Sequence, residues 1–286
     1  MLQLHKKYVD EKFDEHGILC EYTINCPDNF SFAYDVMDVL AEKEPDKRAM
    51  RWTNDKGELR DFTFGELKKF SDQTANLLCS LGFAKGDKLM VILKRHYEFW
   101  MVALACHKLG VVLIPGTNLL TKKDLVYRFN AAAIKGIICT AEGDITTFVE
   151  EALHQSPTVG MKMTVKSPRD GWLFFPDEVE KQSESLERVS IHRTDPLLLY
   201  FTSGTTGMPK MVMHDNSYPL GHIMTAKYWH NVDPEGLHLT ISETGWAKSV
   251  WGKLYGQWLM EAAIFVYDHD KFNPAEMLGV IAKLPK

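Results

Sequence analysis

Residues 88–115 narrow the choice of fold more than any other stretch. Lys88-Leu89-Met90-Val91-Ile92-Leu93 is an apolar run of strand length, His96 to Leu109 carries helical spacing closed by Gly110, and Val111-Val112-Leu113-Ile114 is a second apolar run stopped by Pro115. A buried strand, a helix and a buried strand in this order read as a crossover unit. The pattern continues with a helix over Lys122–Ala132, a strand at Gly136–Cys139, a helix near Ile145–His154 and a strand at Met161–Val165. The alternation predicts an α/β fold of right-handed βαβ units around a largely parallel sheet. Ligands of such sheets bind beyond the carboxyl ends of the strands.

Upstream, residues 1–35 hold scattered aromatics (Tyr8, Phe13, Tyr22, Phe30, Phe32, Tyr34) and read as a strap of short helices over the main body. Asp35 to Glu44 reads as a helix ended by Pro45. Ala49–Trp52 and Leu59–Phe62 flank Asn54-Asp55-Lys56-Gly57, a hairpin signal. Thr63 with Glu66 has capping-box spacing at the head of a helix that Gly82 ends. Downstream, the acidic segment Asp177–Val189 reads as a solvated connector. Met211–Met213 reads as a returning strand, Ser217–Trp229 as a helix, Leu237–Thr240 as a strand, Trp251–Glu261 as one helix, Ala263–Tyr267 as a strand and Pro274–Lys283 as the last helix. His214, His222, His230 and His238 fall every eight residues, but that spacing drifts by about 80° per step on a helix, so separate elements explain it better than a metal site.

Composition removes several classes. Of 286 residues 45% are apolar and 25% charged, with a net charge of −5, which is ordinary for a globular chain and offers no basic surface for nucleic acid. No apolar run approaches the roughly 18 residues of a membrane span. The first residues have no apolar signal region and carry Asp10, Glu11, Asp14 and Glu15, which argues against a transit peptide. Five scattered cysteines without a C-x-x-C pair read as reduced thiols of a cytoplasmic protein.

The most informative chemistry lies in Leu197-Leu198-Leu199-Tyr200-Phe201-Thr202-Ser203-Gly204-Thr205-Thr206-Gly207-Met208-Pro209-Lys210. An apolar strand breaks into glycines and small hydroxyl residues and closes on a lysine. Glycines let backbone N–H groups approach an anion, hydroxyls add short donors, and a lysine adds a point charge, so the loop suits phosphate. A linker rarely follows a buried strand so directly. The pattern G-x-x-x-x-G-K-[ST] fails because Met208 and Pro209 separate Gly207 from Lys210, and G-x-S-x-G fails because Phe201-Thr202 precede Ser203. A second stretch, Thr244-Gly245-Trp246-Ala247-Lys248-Ser249-Val250-Trp251-Gly252-Lys253-Leu254-Tyr255-Gly256, puts a tryptophan on a loop after a strand, a placement that commonly walls a pocket.

Tyr200–Lys210 resembles the phosphate-binding motif [YF]-T-S-G-[ST]-T-G-x-P-K of adenylate-forming enzymes, the superfamily of acyl-CoA synthetases, luciferases and peptide-synthetase adenylation domains. Thr244–Trp258 resembles the next core motif in its medium-chain acyl-CoA synthetase wording, and Thr63–Leu67, Leu113–Thr117 and Ala263–Asp268 extend the likeness over nearly the whole chain after the lead. The resemblance implies the large N-terminal domain of such an enzyme, with mostly parallel sheets flanked by helices, incomplete at its C-terminal end. It divides the chain into a strap over 1–35 and a partial AMP-binding domain over 36–286.

The implied reaction joins a medium-chain or branched short-chain carboxylate to ATP and then to coenzyme A, giving acyl-CoA, AMP and pyrophosphate. By resemblance Thr202, Ser203, Gly204, Thr205, Thr206, Gly207, Met208, Pro209 and Lys210 bind the nucleotide, with Thr202 and Lys210 acting on the polyphosphate during catalysis. Gly245, Trp246 and Trp251 border the acyl pocket. The resemblance also implies Mg²⁺, together with a Y-G-x-T-E segment, a ribose-binding Asp and an adenylation lysine, and no such motif occurs in this sequence. The chain is therefore expected to be the N-terminal portion of a longer enzyme and inactive by itself. It contains no metal-ligand set of its own. The alternative is a noncatalytic nucleotide-binding module, or a split half needing a partner chain. Oligomeric state is left open.

Overall fold

The computed structural model describes residues 1–202 and 207–284. In chain order the elements are β1 (Val9–Phe13), β2 (Leu19–Ile24), α1 (Val39–Lys43), β3 (Arg48–Asn54), β4 (Leu59–Thr63), α2 (Phe64–Ser80), β5 (Lys88–Ile92), α3 (Glu98–Leu109), β6 (Val112–Pro115), α4 (Lys122–Ala132), β7 (Gly136–Thr140), α5 (Ile145–Leu153), β8 (Met161–Val165), β9 (Leu173–Phe174) and α6 (Phe175–Val179). They continue with β10 (Pro196–Thr202), β11 (Lys210–Asp215), α7 (Tyr218–Met224), β12 (Leu237–Leu239), α8 (Ala247–Lys253), α9 (Tyr255–Leu259), β13 (Ala263–Asp268) and α10 (Pro274–Ile281).

The crossover pattern builds a seven-stranded sheet in the order β11-β10-β6-β5-β7-β8-β9, parallel except for the edge strand β11, which returns antiparallel along β10. Strands β5, β6 and β7 are buried along almost their whole length, as parallel strands covered on both faces must be. A second sheet, β12-β13-β3-β4, is parallel across β12, β13 and β3 and closes with the β3–β4 hairpin. Helices α2 and α3 pack together beside the first sheet, and α2 begins with the expected capping box, Thr63 N donating to Glu66 Oε2 at 2.9 Å and Glu66 N to Thr63 Oγ1 at 3.2 Å. Buried indole N–H groups tie the layers together. Trp52 donates to Arg95 O at 3.0 Å, Trp100 to Lys253 O at 2.8 Å and Trp258 to Ala49 O at 2.9 Å.

Two expectations need correction and a third needs refinement. The lead is not a strap of short helices: after a 3₁₀ turn at Leu4–Lys7 it forms the antiparallel hairpin β1–β2, fastened by Glu11 to Lys227 and to Tyr228 Oη. The segment 177–189 is exposed at most positions, as a solvated connector is, but it is also tied down. Asn76 Nδ2 donates to Ser183 O and Ser185 O at 2.9 Å each, Arg188 grips Asp35 through both terminal nitrogens, and Leu186 and Val189 pack on the core.

The helix expected over Trp251–Glu261 is two helices, broken at Leu254 (φ −146°, ψ −83°). The break has a cause: Thr240 Oγ1 donates to Gly252 O at 2.6 Å and Trp100 Nε1 takes Lys253 O, so two carbonyls that a continuous helix would use are already occupied. The four evenly spaced histidines lie on separate elements and serve in aromatic contacts. His214 lies on Tyr218 at 3.9 Å, His222 parallel to Tyr255 at 5.9 Å, and His230 parallel to Trp251 at 5.6 Å with His238 beside it. Burial pushes the His222 pKa down to about 4.

Candidate functional site

Strands β6 and β10 are parallel neighbours, so their carboxyl ends open at the same edge of the sheet. Pro115, Gly116 and Thr117 leave β6 there, and Tyr200, Phe201 and Thr202 end β10. A cleft of 470 Å³ lies between them, completed by Pro209, by Gly245, Trp246 and Ala247, by Leu120 just ahead of α4 and by Arg128 within it.

The third wall is held by side chains that serve backbone. Thr244 is wholly buried, and both its N and its Oγ1 donate to Lys94 O just beyond β5, at 3.0 and 2.6 Å. Glu243 accepts from Thr117 Oγ1 and from Asn118 N, each at 3.3 Å. Gly245 presses on the β6 exit so closely that a Cβ would stand 2.4 Å from Thr117 N and 2.6 Å from Gly116 O. Trp246 follows with 58% of its surface exposed at the rim. Lys94 has a left-handed backbone (φ +46°), and its Nζ is held by Glu142 at 2.8 Å and Asp270 at 2.7 Å.

The loop opposite is carried by the β10–β11 hairpin, whose register places Thr202 across from Lys210. Tyr127 Oη of α4 donates to Pro209 O at 2.8 Å and so fixes the returning leg. Gly207 adopts φ +117°, a conformation that side-chain-bearing residues rarely take.

Behind this wall Lys253 is fully buried, its Nζ donating to Thr240 O at 3.2 Å. Burial, aided by the Arg95 charge and opposed by Asp268 and Glu243, pushes its pKa from 10.5 down to about 7. Between pH 7 and 10.5 the unfolded chain then binds the proton that the folded chain has released, so stability rises with pH through that window. Lys253→Met is expected to abolish this rise and to be the more stable form near pH 7. Urea unfolding at pH 7 and pH 9 checks it, and equal pH slopes in the two proteins would contradict it.

Of the residues singled out by sequence, Thr202, Pro209, Gly245 and Trp246 line the one cleft, and Met208 and Lys210 are exposed next to it. Ser203, Gly204, Thr205 and Thr206 lie outside the described residues. Trp251 lines a separate apolar depression of 560 Å³ with Met224, Tyr228 and Trp229, where it stacks on His230. Gly116, Thr117, Leu120 and Arg128 join the cleft without having been marked as site residues. A signal for the first two exists in the sequence, because Pro115 ends a buried strand as abruptly as Thr202 does. Among the described residues no grouping of three or more His, Cys, Asp or Glu side chains could hold a metal ion. The donors around the cleft are hydroxyls, backbone groups and one guanidinium, a set suited to phosphate oxygens rather than to a cation.

A family model described as AMP-binding enzyme matches residues 37–285. The chain is 35% identical over 267 residues to "Acyl-coenzyme A synthetase ACSM4, mitochondrial" of Rattus norvegicus, covering 91% of this chain and 46% of that protein. It is also 35% identical over 267 residues to "Acyl-coenzyme A synthetase ACSM5, mitochondrial" of Homo sapiens, with the same two shares. Among solved structures, an anthranilate CoA ligase, AuaEII, in complex with anthranoyl-AMP superposes with a TM-score of 0.81 at 20% identity, over 91% of this chain and 49% of that one. A Brucella canis acyl-CoA synthetase gives a TM-score of 0.79 at 19% identity, over 89% and 46%. The chain thus spans about half the length of the curated relatives it matches.

Proposed function

Because the chain belongs to the AMP-binding enzyme family, we propose that it is the nucleotide- and acyl-binding part of an AMP-forming acyl-CoA synthetase acting on medium-chain or branched short-chain acids. The observation that carries this reading is the cleft itself. Thr202 and Pro209, near the two ends of the loop, border the same space as Gly245 and Trp246, which supports reading it as an anion-binding loop facing an apolar wall.

In this reading the 202–210 loop receives the polyphosphate. Thr202 and the loop hydroxyls donate to its oxygens, Gly207 permits the turn, and Lys210 screens the charge that develops on departing pyrophosphate. Trp246 and Leu120 shield the acid's chain from water beside the reacting carboxylate. Coenzyme A would enter along the same rim. ATP fits the donors present, and Mg²⁺ finds no carboxylate set among the described residues, so no role is derived for it. The division into a lead over 1–35 and an AMP-binding portion over 36–286 belongs to the same proposal. So does a reducing compartment such as the cytoplasm, in keeping with five free thiols. Among the described residues no helix is long and apolar enough to cross a membrane.

The test is pyrophosphate release with ATP, Mg²⁺ and acids from acetate to decanoate and benzoate, run on this chain and on its longest genomic extension. Release by the extended protein supports the synthetase. If neither protein releases pyrophosphate while this chain binds ATP, a noncatalytic nucleotide-binding module, or a split half needing a partner chain, is the better account. Lys210→Ala is expected to weaken ATP binding about tenfold, the worth of one charge-assisted contact. Unchanged affinity would remove that role from Lys210.

A further inference from the structure

We infer that Arg128 is the residue that receives an oligophosphate in the cleft, and that Tyr127, one position before it, positions the loop that binds the same group. The inference rests on the reading of the 202–210 loop given above.

Arg128 carries the single formal charge among the described residues lining the cleft, and none of those residues is a carboxylate. A guanidinium in a concave site with no carboxylate in its lining favours an anion, and its planar fork matches phosphate oxygens two at a time. The side chain is only 12% exposed and is held in place from two directions. Its Nη1 donates to Asp124 O at 3.1 Å, and its Cζ lies 5.2 Å from the ring centroid of Phe201, the residue that leads into the loop.

The carboxylate of Asp124 pairs with it from the side away from the lining, an i,i+4 contact on the same helix that offsets part of its charge. Asp124 Oδ2 is engaged by Thr121 N at 3.0 Å and Thr121 Oγ1 at 2.7 Å, leaving Oδ1 at 3.4 Å from Nη1. Tyr127 and Arg128 touch both legs of one loop. Arg128 stacks on the outgoing leg at Phe201, and Tyr127 Oη bonds the returning leg at Pro209 O, 2.8 Å away. One helix thus contacts the chain both at Phe201 and at Pro209 and sets a cation beside them.

An oligophosphate could come from the triphosphate of ATP or the diphosphate of coenzyme A. Calorimetric titration of this chain with tripolyphosphate, ATP, coenzyme A and decanoate at constant ionic strength separates them. Arg128→Gln is expected to weaken tripolyphosphate at least tenfold, together with whichever of ATP or coenzyme A uses the site, at an unchanged melting temperature. Arg128→Lys should recover part of the loss, since it keeps the charge without the fork. Tyr127→Phe should weaken the same ligands by a few-fold while keeping the wild-type dependence on salt, because it moves the loop without removing charge. Wild-type affinity for oligophosphates in Arg128→Gln overturns the inference, as does a loss confined to decanoate, which would make Arg128 a carboxylate receptor. If the wild-type chain binds none of the three phosphates, the loop reading fails first and this inference with it.

Discussion

Lys108→Met is expected to destabilise the chain by roughly 3 kcal/mol or more, the cost of leaving buried carboxylates without their cation. Lys108 lies on α3 with no exposed side-chain surface, its Nζ 2.5 Å from Asp72 Oδ1 and 2.7 Å from Asp38 Oδ1. Both contacts are within ion-pair distance, and the one to Asp72 is a hydrogen bond. Asp72 is itself buried, and only Lys68, at 2.6 Å from its other oxygen, would remain. Burial already raises the Asp38 pKa against the pull of Lys108, so removing the lysine drives that carboxyl further toward its neutral form.

Methionine fills much of the same space, which separates the charge effect from a cavity effect. Two further measurements fix the cause. The loss should shrink as pH falls, because protonation relieves the stranded acids, and Asp72→Asn placed on the methionine background should recover part of the stability. A loss under about 1 kcal/mol in urea unfolding would mean that the acids reach water, as exposed pairs do, and that the triad is not a buried network.

Such a triad is hard to see in a sequence, since Asp38 just ahead of α1, Asp72 on α2 and Lys108 on α3 meet only after the helices have packed. What could be read was local. The runs at 88–93, 111–114 and 136–139 became β5, β6 and β7 because a strand buried on both faces has to be apolar at nearly every position. The Thr63–Glu66 pair announced its helix through a bond that spans three residues. The loop at 202–210 stood out because glycines, hydroxyls and a lysine are crowded together there, and its described ends, Thr202 and Pro209, do border the cleft.

The site as a whole was legible only in part. Gly116 and Arg128 reach Thr202 through the pairing of β6 with β10, strands that have everything from α4 to α6 between them in the chain. The broken helix at Leu254 was hidden for the same reason, because the groups that take its carbonyls belong to Thr240 and Trp100. The tethering of the exposed acidic segment 177–189 was hidden because Asn76 of α2 takes its backbone carbonyls, which sequence composition does not register.

Gly245→Ala is expected to have the largest effect on the cleft. The added methyl carbon would stand 2.4 Å from Thr117 N, 2.5 Å from Gly116 C and 2.6 Å from Gly116 O, all backbone atoms at the end of a buried strand. No side chain can rotate away to relieve such a contact, so one of the two segments has to move. The 243–246 segment is held by Thr244 on Lys94 O and by Glu243 on Thr117 and Asn118, and these bonds stretch if it retreats. Overpacking of this kind typically costs about 1–3 kcal/mol, and the loss of the Thr244 bonds adds to it. Trp246, next in sequence, would be carried away from Thr202, and ligand affinity in the cleft should fall by roughly tenfold or more, the scale of about 1.4 kcal/mol in binding.

Gly221→Ala is the matched control. Gly221 lies in α7, where an added methyl group would meet nothing within 4 Å, and alanine favours a helix by roughly 0.5–1 kcal/mol, so this change should be neutral or slightly stabilising. Thermal unfolding and titration with ATP of both variants decide the matter. If Gly245→Ala melts and binds as Gly221→Ala does, the two walls of the cleft are not in contact, and the geometry assigned to Trp246 has to be abandoned.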